Sequence, residues 1–452
     1  MSDSPSATES LAVFVASTDY GALPAEVITA TKQRILDTVG VALAGSDAPG
    51  CEGARETILA EGATGTSTLW ASGERVSSRG AAFVNGLHAA ALDYDSVYER
   101  GSVHPDIVTV PAAWAIAEQT HADGKAFLAA VALGNEVACR FGAANLHNKG
   151  WFYTSVFGVF GAAAAVGKLL GLDEAGIANA IGLALSRAGG TQQALLEKSL
   201  AKRAQSGFAA EAGVFSAQLA AAGINGPSQA VEGKFGFHTL YGDGDVGTLI
   251  EDLGTHYESL ATAIKKYPSC TANHVPIDLL IEVAEANDLT PDQIDRVEIE
   301  LSPFANGLVG DAFDPSDNPQ VAAQFSIHYS AASALLRRRL GIAEIQDAAV
   351  NDTAIAEFIQ KVDISIDDAN SGKFAPARVT VKTSSGAKLE ADLENVPGTI
   401  ANPLSDDQVA AKFRDCAQFG MQPRRTAEAD ALAASLGQLE DRDSLTGILD
   451  RS

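Results

Sequence analysis

Between positions 261 and 274 the chain reads ATAIKKYPSCTANH. Two amines, a phenol, a thiol and an imidazole (Lys265, Lys266, Tyr267, Cys270 and His274) thus fall within ten positions. A lysine works as a base when its neutral amine is accessible near neutral pH, and both a like charge nearby and partial burial favour that form. Lys265 has Lys266 beside it, so the pair reads as an active-site base with its electrostatic neighbour. Cys270 would be a nucleophile only as a stabilised thiolate, and it reads more simply as lining the pocket. Asp93 and Asp95 suggest metal ligands, yet no spaced His or Glu completes a site, so no metal is expected. The Ala/Thr run before the cluster reads as a helix that Pro268 stops.

The elements around these residues change character along the chain. From residue 7 to about 265 the pattern is helical and rich in Ala, Gly and Leu. PAEVITATKQRILDTVGVALAG sets Val27, Ile28, Ile35, Leu36, Val39 and Leu43 on one helical face. FGVFGAAAAVGKLLGL is nearly all small or apolar, as suits a helix buried on every side. After Pro268, DQIDRVEIELSP alternates like a half-buried strand. VDISIDD follows as another strand, and ARVTVKTSSGAKLEADL reads as a hairpin turning at Ser385-Gly386. AAQFSIHYSAASALLRRRLG and NDTAIAEFIQKV read as helices, and helix returns after PGTIANPLS. The expected architecture is mainly α with an α+β second domain. A helical domain comes from both chain ends (1–268 and 401–452), and an α+β lid is inserted at 269–400. The cleft between domains is the expected ligand site.

Composition narrows the function classes. The chain has 452 residues and a net charge of 32 − 57 = −25, which argues against nucleic acid and anionic membranes as partners. No apolar run of about 18 residues is free of polar breaks, and the start MSDSPSATES lacks the marks of a signal peptide. The four cysteines form no CxxC pair, so a cytoplasmic protein with free thiols is expected. No glycine-rich phosphate loop follows a strand, and no cofactor is expected.

Several strings, in order over nearly the whole chain, resemble the MmgE/PrpD family: RILDTVGVALAGS, NGLHAAALDYD, HPDIVTVPAAWA, KSLAKRAQSGFAAEAG, EGKFGF, IKKYPSCTANHVPID, QFSIHY and NPLSDDQVAAKFR. That family includes 2-methylcitrate dehydratase, cis-aconitate decarboxylase and iminodisuccinate epimerase. The resemblance implies a homodimer acting on a small polycarboxylate without metal or organic cofactor, and attack on a C–H bond beside a carboxylate. It also implies active-site positions at Asp93, His104, Lys202, Lys265 and His274. Lys202 and Arg203 would hold carboxylates, Lys266 and Cys270 would line the substrate site, and His104 would serve in acid–base work. Asp93 reads as a contact to a substrate hydroxyl or a support for another group. His274 reads either as a site residue or as a buried partner of backbone carbonyls.

The chain departs from the family pattern at four places. GWFYT carries Phe152 where dehydratases and decarboxylases typically have histidine, with Tyr153 next to it. Gln205 stands where they often have histidine. Ala90 ends a string that elsewhere ends in histidine, although His88 lies two residues earlier. Ser96-Val97 replaces Asp-Thr. A lyase needs an acid for its leaving group or carbanion, and Phe152 removes one. An epimerase needs a proton donor on each face of the carbon, for which Lys265, His104 and Tyr153 would serve. The reading that follows is an epimerase of an iminodisuccinate-like dicarboxylic acid. A 2-methylcitrate dehydratase-like or cis-aconitate decarboxylase-like lyase is the alternative, and a non-catalytic carboxylate-binding protein is a third.

Overall fold

The computed structural model describes residues 5–62, 64–145, 149–242 and 244–450. The fold is mainly α with an α+β portion. The chain separates into one unit formed by Met1–Ile264 with Asp406–Ser452, and a second formed by Lys265–Ser405.

In the first unit, helix Tyr153–Leu169 is buried at every position from 153 to 167. Helices Gly124–Ala143, Asp106–Thr120 and Ala201–Ala221 pack around it. Small residues make this possible: a Cβ on Gly161 would lie 2.5 Å from the Gly134 carbonyl oxygen, so the two helices touch backbone to backbone. Helix Gly124–Ala143 is long and apolar enough to cross a membrane by length and composition, but it is buried within this unit. Its Glu136 and Arg140 form an i,i+4 ion pair at 2.7 Å, and Arg140 donates to the carbonyls of Leu249, Glu251 and His256.

Short strands complete the unit. β1 (Ser67–Thr68) pairs with β2 (Arg75–Val76), and β3 (Val97–Tyr98) pairs antiparallel with β4 (Thr262–Ala263). The last pair corrects one expectation. The run before Lys265 is not a helix that Pro268 stops: a 3-10 turn, Glu258–Ala261, gives way to β4. The ladder with β3 and the Glu136 carboxylate, which accepts from the amides of Glu258 and Ser259, outweigh local helix propensity.

The second unit holds a four-stranded mixed sheet in the order β6-β5-β7-β8, with β5 Ile294–Leu301, β6 Val362–Ile366, β7 Ala377–Thr383 and β8 Lys388–Leu393. β5 runs parallel to β6 and antiparallel to β7. Val297, Ile299 and Leu301 are buried, as their alternation requires. The β7–β8 turn contains Gly386 at φ 86°, a conformation glycine adopts without strain. The helix expected over 322–341 is instead two, Pro319–Gln324 and Ile327–Arg337. They separate at Ser326, whose hydroxyl caps the second by accepting from the Tyr329 amide.

Candidate active site

Each unit carries one group of the expected residues. In the first unit they gather on the segment that leaves helix Ser78–Ala89, and partners alternate along it. Asp93 holds the ammonium of Lys202 and Asp95 holds His104. Tyr94 and Ser96 are tied elsewhere: the Tyr94 carbonyl accepts from Lys412 at 2.8 Å, and the Ser96 hydroxyl donates to Asp106 at 2.5 Å. Asp93 has φ 51°, a left-handed conformation that Asp tolerates better than most residues.

His104 Nδ1 lies 2.8 Å from Asp95 Oδ2 and 2.8 Å from the Ser96 carbonyl oxygen. Both neighbours are acceptors, so the network places the ring proton on Nδ1 and leaves Nε2 to accept or donate elsewhere. The His104 side chain is 17 % exposed. Its backbone N–H donates to Thr154 Oγ1 at 3.1 Å, which fixes the histidine against the first turn of helix Tyr153–Leu169. The arrangement is an imidazole oriented by a carboxylate, the usual form of a general acid–base group.

Below this segment lies a layer of buried charge. Asp106 accepts from Ser96, from Asn135 at 2.6 Å and faces Arg34 at 3.4 Å. Asp37 pairs with Lys412 at 2.6 Å. Burial raises the Asp37 carboxyl to about 6, even though Lys412 pulls it down.

Other expected residues take different places. Tyr153 opens its helix, is buried, and stacks on Phe157 one turn along, with ring centroids 4.5 Å apart. Arg203, expected to fork a substrate carboxylate, is buried and donates to the Pro49 carbonyl at 2.8 Å. It also reaches the Cys51 thiol, so it knits the 47–51 turn to helix Ala201–Ala221. His88 cannot replace the missing histidine, because burial lowers its pKa to about 4 and keeps it neutral. Phe152 and Gln205, two departures from the family pattern, meet one loop: the Phe152 amide donates to Gly190 O, and Gln205 Oε1 accepts from the Thr191 amide at 2.7 Å.

In the second unit Lys265 is 4 % exposed. Lys266, expected as its electrostatic neighbour and a substrate contact, turns onto Asp278 at 2.6 Å, where the Tyr267 hydroxyl also donates. Its charge is matched by Asp278, which weakens the like-charge argument for Lys265. Burial and Asp278 raise the Tyr267 phenol far above its ordinary value, so it holds its proton. His274 is fully buried, begins helix His274–Ala286, and places Nε2 3.2 Å from the Ser269 carbonyl oxygen. The backbone amide of Cys270 donates to Gln324 O at 2.9 Å. Among the described residues no group of three or more His, Cys, Asp or Glu is placed to hold a metal ion.

The sequence reading missed Asp95 as the partner of His104, and it missed Lys412 and Asp37 altogether. For Asp95 the Asp-x-Asp spacing was visible. The other two fall within the quoted strings RILDTVGVALAGS and NPLSDDQVAAKFR, but nothing local to either string shows that they pair, since they lie on helices far apart in sequence.

Comparison with known proteins agrees with the strings quoted above. Residues 9–248 match the MmgE/PrpD N-terminal domain and residues 267–438 the MmgE/PrpD C-terminal domain. A cis-aconitate decarboxylase-like protein, oryM, of Aspergillus oryzae is 27% identical, covering 94% of each chain. A cis-aconitate decarboxylase of Aspergillus terreus is 25% identical, over 94% of this chain and 92% of the relative. The Homo sapiens cis-aconitate decarboxylase is 26% identical, over 98% and 94%. With both domain models matched in order and most of the chain covered, this protein belongs to the MmgE/PrpD family.

Proposed function

We propose that the protein is a lyase of small polycarboxylates, and that loss of CO₂ from a cis-aconitate-like acid is the reaction to test first. The observation that carries this reading is the His104–Asp95 pair. The epimerase reading followed from the acid lost at Phe152, and His104, oriented by Asp95, is a retained proton donor that a lyase can use. The relatives named cis-aconitate decarboxylase, similar over more than nine-tenths of the chain, favour the same choice.

In such a step the C–C bond to one carboxylate breaks and its electron pair stays on carbon, spread into a neighbouring unsaturated carboxylate. CO₂ leaves, and protonated His104 returns a proton from Nε2 to that carbon. Asp95 steadies the imidazolium while the charge is present. Lys202 takes a substrate carboxylate in place of Asp93, and Lys265 remains assigned as the catalytic amine.

The test is proton NMR with cis-aconitate in D₂O. The expected result is CO₂ release with one deuterium delivered to the product. A second reading, epimerisation of an iminodisuccinate-like acid, keeps support from the phenol of Tyr153 beside the replaced histidine. Hydrogen–deuterium exchange at Cα of such an acid, with no CO₂ or water released from any candidate, would overturn the lyase reading in its favour.

A further inference from the structure

The Asp93–Ser96 segment carries one acidic partner for each functional side chain, and its own path is held from below at alternate residues. One of those anchors comes from a part of the chain over three hundred positions away. Lys412 lies on helix Asp406–Ala417 and is 4 % exposed along its side chain. Its ammonium makes three contacts at once: Asp37 Oδ1 at 2.6 Å, the Tyr94 carbonyl oxygen at 2.8 Å, and the face of the Tyr94 ring at 3.9 Å to the centroid.

We infer that Lys412 is a positioning residue for His104, acting through Tyr94 and Asp95. Tyr94 immediately precedes Asp95, and Ser96 immediately follows it and is anchored to Asp106. Fixing both neighbours fixes the direction in which the Asp95 carboxylate and the Ser96 carbonyl point, and these two acceptors together set the tautomer and tilt of the His104 ring. Asp93, in a left-handed conformation, is a strained point that persists only where its surroundings hold it. A buried ammonium is costly unless every donor is used. Lys412 spends its charge on Asp37 and on the Tyr94 carbonyl and ring, so the cost of burial is offset where the segment needs a fixed point.

Asp37 has a part in the same device. It sits on helix Ala25–Gly45 and is 2 % exposed, with the acidic Asp106 and Asp95 near enough to raise its carboxyl further. Its ion pair with Lys412 at 2.6 Å holds that ammonium beside the Tyr94 carbonyl.

The inference rests on His104 being the acid–base group of the proposed function, and the experiment separates the two. Lys412→Met and Lys412→Arg are compared with the wild type in steady-state turnover of cis-aconitate and in ¹⁵N spectra of histidine-labelled protein, with His104 assigned from a His104→Asn sample. Lys412→Met is expected to lower kcat by about 10- to 100-fold, the scale of a misplacement of about 1 Å, with KM changed far less. The single Nδ1–H tautomer of neutral His104 gives way to a mixture, and Lys412→Arg restores both readouts in part. A folded Lys412→Met whose His104 signals match the wild type overturns the inference, whatever its activity. If Lys412→Met does not fold, Tyr94→Leu, which removes the ring but leaves the Lys412–Asp37 pair, is judged by the same spectrum. If the wild type turns over no polycarboxylate, the lyase reading fails while the ¹⁵N comparison still decides the role of Lys412.

Discussion

His104 Nδ1 stands 2.8 Å from Asp95 Oδ2, and the backbone amide of the same histidine is held by Thr154 at 3.1 Å. Side chain and main chain of one residue are thus fixed by two different segments, the kind of pre-organisation a proton donor needs. If His104 delivers a proton in the rate-limiting step, His104→Gln should lower kcat by about 10² to 10⁴. Asp95→Asn should lower it less, because the ring remains and the Ser96 carbonyl still accepts from Nδ1, while the imidazolium loses its counter-charge. Turnover within about threefold of wild type in His104→Gln would end the assignment.

Asp93 and Lys202 give a prediction that separates binding from chemistry. Lys202→Met removes a cation that the proposed function assigns to a substrate carboxylate, so KM should rise by about tenfold with kcat changed less. Asp93→Asn should release Lys202 and raise affinity for a non-reacting tricarboxylate, measured calorimetrically. Weaker binding in Asp93→Asn would mean that Asp93 itself contacts the ligand.

The two adjacent lysines should behave differently. Lys265→Met is expected to lower kcat by about 10² or more in a folded protein, the usual contribution of a positioned base. Lys266→Met should leave kcat within a few-fold. Lys266 is partly exposed and spends its charge on Asp278, so the loss is confined to about 0–1 kcal/mol of stability, readable as a small shift of the urea midpoint. Equal kinetic losses in both variants would show that the second amine, too, acts on substrate.

Tyr153 decides between the two readings of the reaction. Stacked on Phe157 and buried, it should tolerate Tyr153→Phe with turnover nearly unchanged if it only packs. Abolished turnover of an imino diacid, with slow deuterium exchange from one face surviving, would restore the epimerase.

Two buried groups give opposite pH dependences of stability. The folded pKa of His88 is lowered from 6.5 to about 4. Its contribution is therefore present above pH 6.5 and is lost as pH falls toward 4, by roughly 3 kcal/mol at most. Asp37 is raised from 3.8 to about 6, so its contribution is full below 3.8 and is lost as pH rises through 6. Urea midpoints of wild type and His88→Gln should converge as pH falls from 6.5 to 4, because only the wild type carries the histidine term. A difference independent of pH would show that His88 takes up a proton in the folded state.

Much of this architecture was legible in the sequence because it is governed by local pattern. The 3.6-residue spacing of Val27, Ile35 and Val39, the alternation of Val297, Ile299 and Leu301, and the Ser385-Gly386 turn specify their elements without reference to the rest of the chain. Asp93, His104, Lys202 and Lys265 were singled out as candidates from strings that resemble a family, and the structure pairs Asp93 with Lys202 and Asp95 with His104. Where local pattern and long-range pairing compete, the sequence misleads. The Ala/Thr run before Lys265 has helical composition, yet β3 and the Glu136 carboxylate draw it into a turn and a strand. The working partners of the candidate residues were decided by the tertiary structure alone. Nothing near Arg203 announces the Pro49 carbonyl, nothing near Lys266 announces that Asp278 rather than a substrate takes its charge, and nothing near Tyr94 announces Lys412. A buried charge must find its counter-charge wherever the fold brings one, and that distance in sequence is set by how the helices pack.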